Sequence, residues 1–378
     1  MSYTDKDGMN PFVLKPLPLL IEADINDPNE VEGILNPAAA RGPDGELYLF
    51  PRIVGKGNYS RIGIMRVIFD EYGEPTGVER IGIALEPEAP YELRGDGAGG
   101  CEDPRVTYVE PIDLYVMTYT AWSMQGPRIA IAVSRDLLQW DRLGLAKFDP
   151  VGAITFDNVD NKDAVMFPRP VPGPSGALEL ALLHRPYFSG EEHEETLRFG
   201  EERQLDLSRE SIWLSFSPLQ VDDDREELIR FNTHVPLVTP EAPWESLKIG
   251  SGTPPVLTPE GWLIIYHGVS SEFDPDVGKD RLTYSAGITI LAEENPLDVV
   301  FRTQHPILTP VPTPGPRGTS ADVVFPTGID RRDDIGQPDR FDVYFGINDF
   351  RIGVARLDFP PDVARSNAGQ VANAASSV

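Results

Sequence analysis

The sequence holds a single cysteine, Cys101, in 378 residues. No internal disulfide and no cysteine-built zinc site can come from it. Positive charge is also scarce. Lysine and arginine number 33 against 60 aspartates and glutamates, a formal net charge of −27. A surface that acidic does not follow a nucleic-acid backbone or an anionic membrane face. It does not forbid an anionic substrate, because a small basic pocket can sit inside an acidic protein. Apolar runs of membrane-spanning length are missing. Met1–Asn10 is polar, without the apolar centre of a signal peptide, so a soluble, cytoplasmic protein is expected. The familiar catalytic signatures are absent too. Gly315–Gly318 lacks the lysine of a P-loop, and no His-Glu-x-x-His spacing occurs. Gly250-Ser251-Gly252 lacks the flanks of a nucleophile elbow. Nucleotide-loop, zinc-protease and serine-hydrolase chemistries fall away, and neither metal nor cofactor is expected.

What the chain has in plenty is turn formers, 37 prolines and 34 glycines, which suit many short strands better than helix interiors. Strands are predicted at Leu47–Arg52, Arg61–Val67, Asp113–Thr120, Arg128–Val133, Leu178–Arg185, Trp262–Gly268 and Phe341–Asn348. Arg61-Ile62-Gly63-Ile64-Met65, Arg128-Ile129-Ala130-Ile131-Ala132 and Arg351-Ile352-Gly353-Val354-Ala355 resemble one another, and each follows one of these strands. Five such strands recur roughly 65 to 85 residues apart, too long a period for a solenoid and suited to four-stranded blades. The expectation is an all-β, five-bladed β-propeller over residues 36–360. An extension, 1–35, packs on it and a flexible tail, 361–378, follows. A set of β-sandwich domains is the competing architecture. The charged stretch Gly190–Glu202 is expected as a solvated loop and Asp222–Arg230 as a loop or short helix. Pro310–Gly318 and Asp330–Arg340 are expected to be irregular.

One stretch stands out for chemistry, Gly99-Gly100-Cys101-Glu102-Asp103-Pro104-Arg105. Glycines let the backbone approach a ligand, Pro104 biases Asp103 toward an extended conformation, and Arg105 offers a positive partner. A turn with a surface ion pair is the plainer alternative. Polar residues also end comparable strands: Arg52, Tyr119, His184-Arg185, Tyr266-His267 and Asn348-Asp349. In a propeller such ends converge, gathering Asp103, Arg52, Lys162, Arg185 and His267 around one cleft. The cations are useful there if an anion binds, or if they neutralise Asp103, Asp163 and Asp349. Taken singly, His184 and His267 suit structural hydrogen bonding, and Trp244 and Trp262 suit the core.

Eight landmarks in order carry a resemblance. They are Asn36-Pro37-Ala38, Gly100–Arg105, Tyr119-Thr120-Ala121 and Lys162-Asp163-Ala164-Val165-Met166-Phe167-Pro168. His184-Arg185-Pro186, Lys248-Ile249-Gly250, Gly261–Gly268 and Tyr344-Phe345-Gly346 through Asp349 follow. Over Asn36 to Leu357 the chain resembles glycoside hydrolase family 130, the mannoside phosphorylases and mannosidases. The resemblance implies a five-bladed propeller acting on a β-mannoside, with inorganic phosphate as co-substrate. It implies Asp103 as the acid, protonating the glycosidic oxygen through a mannosyl hydroxyl. Arg52, Lys162, Arg185 and His267 then hold phosphate, which attacks C1 with inversion to give mannose 1-phosphate. Asn36, Glu102, Arg105, Tyr119, Asp163, His184, Tyr266 and Asp349 are the expected substrate-binding residues. The partner is a mannooligosaccharide or other mannosyl compound, and a homo-oligomer is compatible with the sequence. Asp163 departs from the asparagine often found in the family, and the Gly55–Tyr59 loop is peculiar to this chain. An inverting β-mannosidase is the alternative, with Glu202, Glu210 or Glu245 as base. A carbohydrate-binding propeller without chemistry is the third reading.

Overall fold

The computed structural model describes residues 11–218, 227–275, 278–311 and 321–360. The expected tail 361–378, nearly all of Pro310–Gly318 and part of Asp222–Arg230 lie outside them. Strand makes up 56% of the structure and helix 7%, so the chain is all-β.

The strands form five consecutive antiparallel units. The first runs Gly33–Arg41, Leu47–Gly55, Tyr59–Phe69, Pro75–Leu85. The second runs Gly99–Val109, Leu114–Ser123, Gly126–Ser134, Asp141–Leu145. The third is Asp160–Met166, Leu178–Tyr187, Ile212–Pro218, Thr233–Val238. The fourth is Lys248–Gly250, Gly261–Asp274, Lys279–Leu291, Val299–Arg302. The fifth is Ala321–Arg331, Arg340–Ile347 and Arg351–Asp358. Its outer edge is completed from the far end of the chain, where Leu14–Pro16 and Ile21–Glu22 pair with Arg351–Asp358.

Strand alternation explains how the units hold together. Successive side chains of a strand face opposite sides of the sheet, and here both sides are apolar. In the first unit Phe50 and Ile62 pack with Val106 and Met117 of the second. Val116 and Ile131 of the second join Leu182 of the third. Leu183 and Leu214 of the third meet Trp262 and Ile264 of the fourth. Leu263 and Ile265 of the fourth meet Phe341 and Val343 of the fifth. Tyr344 and Ile352 of the fifth return to Leu49 and Met65 of the first. Each sheet therefore shares one core with the sheet before it and another with the sheet after it, the last with the first. Fully burying one such Leu, Ile or Phe contributes roughly 1.5–3 kcal/mol. Trp262 is core as expected, and Trp244 packs over Gly268 and Gly287.

The stretch expected as a solvated loop, Gly190–Glu202, contains instead an α-helix, Glu191–Glu201. Three glutamates in its first turn complement the helix dipole, and Arg198 pairs with Glu194 and Glu195 one turn back. Gly200 closes it tightly on Leu205 and Leu207. No helix among the described residues is long and apolar enough to cross a membrane.

Candidate active site

The innermost strands of the first three units each break register once, between Leu35 and Ala38, between Glu102 and Arg105, and between Lys162 and Val165. At each bulge one residue takes the left-handed conformation: Asn36 (φ 46°), Asp103 (φ 46°) and Asp163 (φ 56°). Asn and Asp are the non-glycine residues that adopt it most readily. Pro37 and Pro104 follow two of them and carry no N–H for the ladder to lose. The extended conformation expected of Asp103 is thus overturned, because the bulge, not the proline, sets its backbone. The bulges turn these three side chains into one cleft of about 360 Å³, a size suited to a small-molecule ligand.

The strand paired with each inner strand supplies the next layer. Arg52 sits opposite Leu35, Thr120 opposite Glu102, Arg185 opposite Lys162, His267 opposite Gly250 and Gly346 opposite Phe325. These five are equivalent positions. Gly346 is required there, since a Cβ would lie 2.0 Å from Asn36 Oδ1.

Asp103 is held through one oxygen. Its Oδ1 accepts from Asn36 Nδ2 at 2.8 Å and from Arg52 Nη1 at 3.4 Å. Arg52 is itself nearly saturated, donating to Ser60 Oγ, to Asn58 Oδ1 at 3.2 Å and to Glu102 Oε1 at 2.7 Å. Glu102 lies buried beneath, and burial raises its pKa against the pull of Arg52. Arg105 is buried as well and ties three units together. It donates to the backbone of Asp103, to Asp163 Oδ1 at 3.3 Å and to the carbonyls of Ser251 and Gly252. Asp163 meets the Arg185 Nε at 2.7 Å. Burial works against its ionisation, but Arg185 and Arg105 hold it well below the usual carboxylate range. Its charge is therefore spent on arginines, which is how a carboxylate can stand in a cationic cleft.

The same cleft is lined by Lys162, Arg185 and Lys248. The Lys162 ammonium lies 4.4 Å over the Trp122 ring and has no carboxylate within ion-pair distance among the described residues. Lys248 Nζ is 3.5 Å from Glu210. Burial, reinforced by the charges of Arg185 and Lys162, brings Lys248 down to about 8. Tyr284, Phe325, Asn58 and Asp349 complete the polar and aromatic lining.

Several expected residues stand elsewhere. Tyr119, His184 and Tyr266 are each one residue off the inward position, and strand alternation turns them away from the cleft. The Tyr119 hydroxyl donates to Glu92 at 2.6 Å, and that of Tyr266 donates to Glu245 at 2.6 Å. The two carboxylates close twin braces. Glu88-Ala89-Pro90-Tyr91-Glu92 and Glu241-Ala242-Pro243-Trp244-Glu245 are near-identical, and each final glutamate also accepts two backbone N–H groups and one arginine, Arg142 or Arg302. Glu245 is thereby removed as a base, and Glu202 is exposed at the helix end. His184 is buried between Asn161 Oδ1 and Ser215 Oγ, the latter shared with His234. His267 lies under the cleft, its Nε2 3.6 Å from Asp163, fully buried. Burial lowers it to about 3, so it is neutral at working pH and adds no cation to the site. Glu102 and Arg105 support the cleft from below without lining it.

Lys248, quoted within a landmark, and Asn58, within the peculiar loop, were given no site role by the sequence. Lys248 shares the face of Gly250 by the two-residue period, which was the available signal. Asn58 arrives through the loop peculiar to this chain, where Glu32 accepts the N–H groups of both Gly57 and Asn58.

A carboxylate steadied on one part of the wall and cations on another thus share one cleft in an all-β scaffold. A family model described as beta-1,4-mannooligosaccharide phosphorylase matches residues 18–360. A 1,2-beta-oligomannan phosphorylase of Thermoanaerobacter is 30% identical over 278 residues, 72% of each chain. A beta-1,2-mannobiose phosphorylase of Listeria innocua is 29% identical over 66% of this chain and 55% of its own. A solved structure, beta-1,2-mannobiose phosphorylase from Listeria innocua with beta-1,2-mannobiose, superimposes with a TM-score of 0.62 at 23% identity, covering 94% of this chain and 96% of that one. At that identity the structural match speaks for the fold. The chain belongs to glycoside hydrolase family 130.

Proposed function

We propose that the protein is an inverting phosphorylase of β-mannosides. The scaffold is read as one five-bladed propeller domain, which the five cores shared pairwise around the sheets support. Asp103, steadied by Asn36 and Arg52, gives up its proton through a mannosyl hydroxyl to the leaving oxygen as the C1–O bond breaks. Phosphate, held by Arg185, Lys162 and Lys248, forms the new bond to C1 from the other face, and mannose 1-phosphate results. Arg52 belongs to the acid in this scheme, since its donors are already used there. The carrying observation is the cleft itself, where a carboxylate tethered by Arg52 and three further cations share one cavity. The relatives' names favour phosphorolysis and leave β-1,2 and β-1,4 linkages both in play.

Hydrolysis is the second reading, carried by Glu210. Of the three candidate bases it alone reaches the cleft cations, pairing with Arg185 and Lys248. One related structure, of TM-score 0.64 at 20% identity, is described as showing that the family contains hydrolases of β-1,2-mannosidic linkages. Incubation with β-1,2- and β-1,4-mannobiose, with and without phosphate, separates the readings. Mannose 1-phosphate formed only with phosphate is expected. Equal mannose release without phosphate, and no sugar phosphate, overturns phosphorolysis. Binding without turnover leaves a carbohydrate-binding protein.

A further inference from the structure

Glu210 occupies an unusual place. Its backbone is fastened to the inner strand of the fourth unit, where Ile249 N–H donates to the Glu210 carbonyl at 3.1 Å and Glu210 bridges Lys248 in parallel. Its side chain reaches across to Arg185 Nη1 of the third unit while also lying 3.5 Å from Lys248 Nζ. These are two of the three cations assigned to phosphate. Arg185 does not depend on Glu210 for its orientation, because Asp163 grips Nε at 2.7 Å from below and is itself held by Arg105. Glu210 is partly exposed, at 20%, whereas Asp163 is buried. The buried carboxylate therefore builds the site, whereas the partly exposed one borders solvent.

Resting on the phosphorylase reading, we propose that Glu210 is a resident counter-anion that phosphate displaces. In the free enzyme its carboxylate neutralises Arg185 and Lys248. Phosphate then takes over those donors and Glu210 turns out to solvent. The state able to receive phosphate is only part of the free population, so the apparent affinity is reduced by that fraction. Glu210 thus sets the phosphate concentration at which the enzyme works, without touching the sugar.

The test is a calorimetric titration of inorganic phosphate into the whole protein, without sugar, for wild type, Glu210→Gln and Glu210→Ala, with melting temperatures confirming folding. Both variants should bind phosphate about tenfold more tightly, with KM for mannoside unchanged. Unchanged or weaker binding in both overturns the proposal, as it would mean that Glu210 positions Arg185 or does nothing. So does loss of phosphate-independent mannose release in Glu210→Gln, which would make it a hydrolytic base. Failure of the phosphorylase reading shows separately, as wild type that forms no mannose 1-phosphate.

Discussion

Two charged regions of the molecule can be set side by side, the cleft and the seam between the fifth and first units. At the seam Arg41, Arg332 and Arg340 each have a partner at every guanidinium nitrogen. Arg340 grips Glu74 with two donors and Asp342 with others. Arg332, fully buried, reaches Asp334 and Asp342 and lies 4.6 Å over the Phe69 ring. Arg41 takes both oxygens of Asp330 and also Asp334. In the cleft, among the described residues, Lys162 stands over an aromatic face without an ion pair, and Lys248 has the single ion-pair partner Glu210. Both regions mix acids and bases, so composition does not distinguish them. The difference lies in unused donors. A buried pair left whole is scaffolding, whereas an incompletely paired cation in a cavity is where a ligand's charge belongs.

The comparison can be broken most sharply at Asp103. Asp103→Asn should cut turnover of unactivated mannobiose by ~10²–10⁴-fold while phosphate binding, read by calorimetry, stays close to wild type. An activated aryl mannoside should restore much of the rate. Near-normal turnover of mannobiose would remove Asp103 as the acid. At the seam, Arg332→Met takes a fully buried guanidinium from Asp342 and Asp334, each still held by another arginine, and should cost about 1–3 kcal/mol of stability. Denaturant titration would show it, and the KM values of the surviving folded protein should not move. A kinetic effect without a stability loss would erase the distinction between the regions. Arg185→Ala should raise KM for phosphate roughly 30-fold or more, and an aryl leaving group should not rescue it. If phosphate dependence is untouched, the anion site lies elsewhere and hydrolysis gains the weight.

The smallest effect is a pH dependence. Lys248 sits near 8 in the free protein because burial penalises its charge. Phosphate needs the protonated form, so affinity should fall as pH rises above about 8, by at most about tenfold per unit. Folding stability should move the other way. The unfolded lysine holds its proton up to its higher ordinary value, so stability rises with pH between the two values. Phosphate titrations from pH 7 to 10, on wild type and Lys248→Met, would check this. A profile unaltered by the substitution would exclude Lys248 as its source.

Much of the scaffold was legible because period-two patterns and turn residues are local. The predicted Leu47–Arg52, Leu178–Arg185 and Phe341–Asn348 fall within or nearly coincide with observed strands. Asp103 was legible from its glycine-flanked stretch, and Asn36 and Asp163 from the family landmarks, whereas the bulges that aim all three were not. What failed was phase. Tyr119, His184 and Tyr266 were named beside Thr120, Arg185 and His267, and only the pairing register says which of two neighbours points inward. The helix Glu191–Glu201 was missed because its charge reads as solvation until the i,i+3 and i,i+4 pairs are counted. The outer strand of the last unit was illegible for another reason. Lys15 and Asp358, which pair there, lie 343 residues apart, and no local rule reaches that far.

That remote strand has a consequence for how the protein comes into being. Leu14–Pro16 and Ile21–Glu22 are synthesised well before their partner Arg351–Asp358. Until then Phe12 and Leu14 lack part of the core that buries them in the finished protein. Contacts of such separation are slow to form, because the chain between must be closed before they are rewarded. The fifth sheet is thus a latch that closes only once Arg351–Asp358 has been made. A ribosome stalled short of residue 351 would hold four sheets and a sticky leading strand, a natural target for a chaperone.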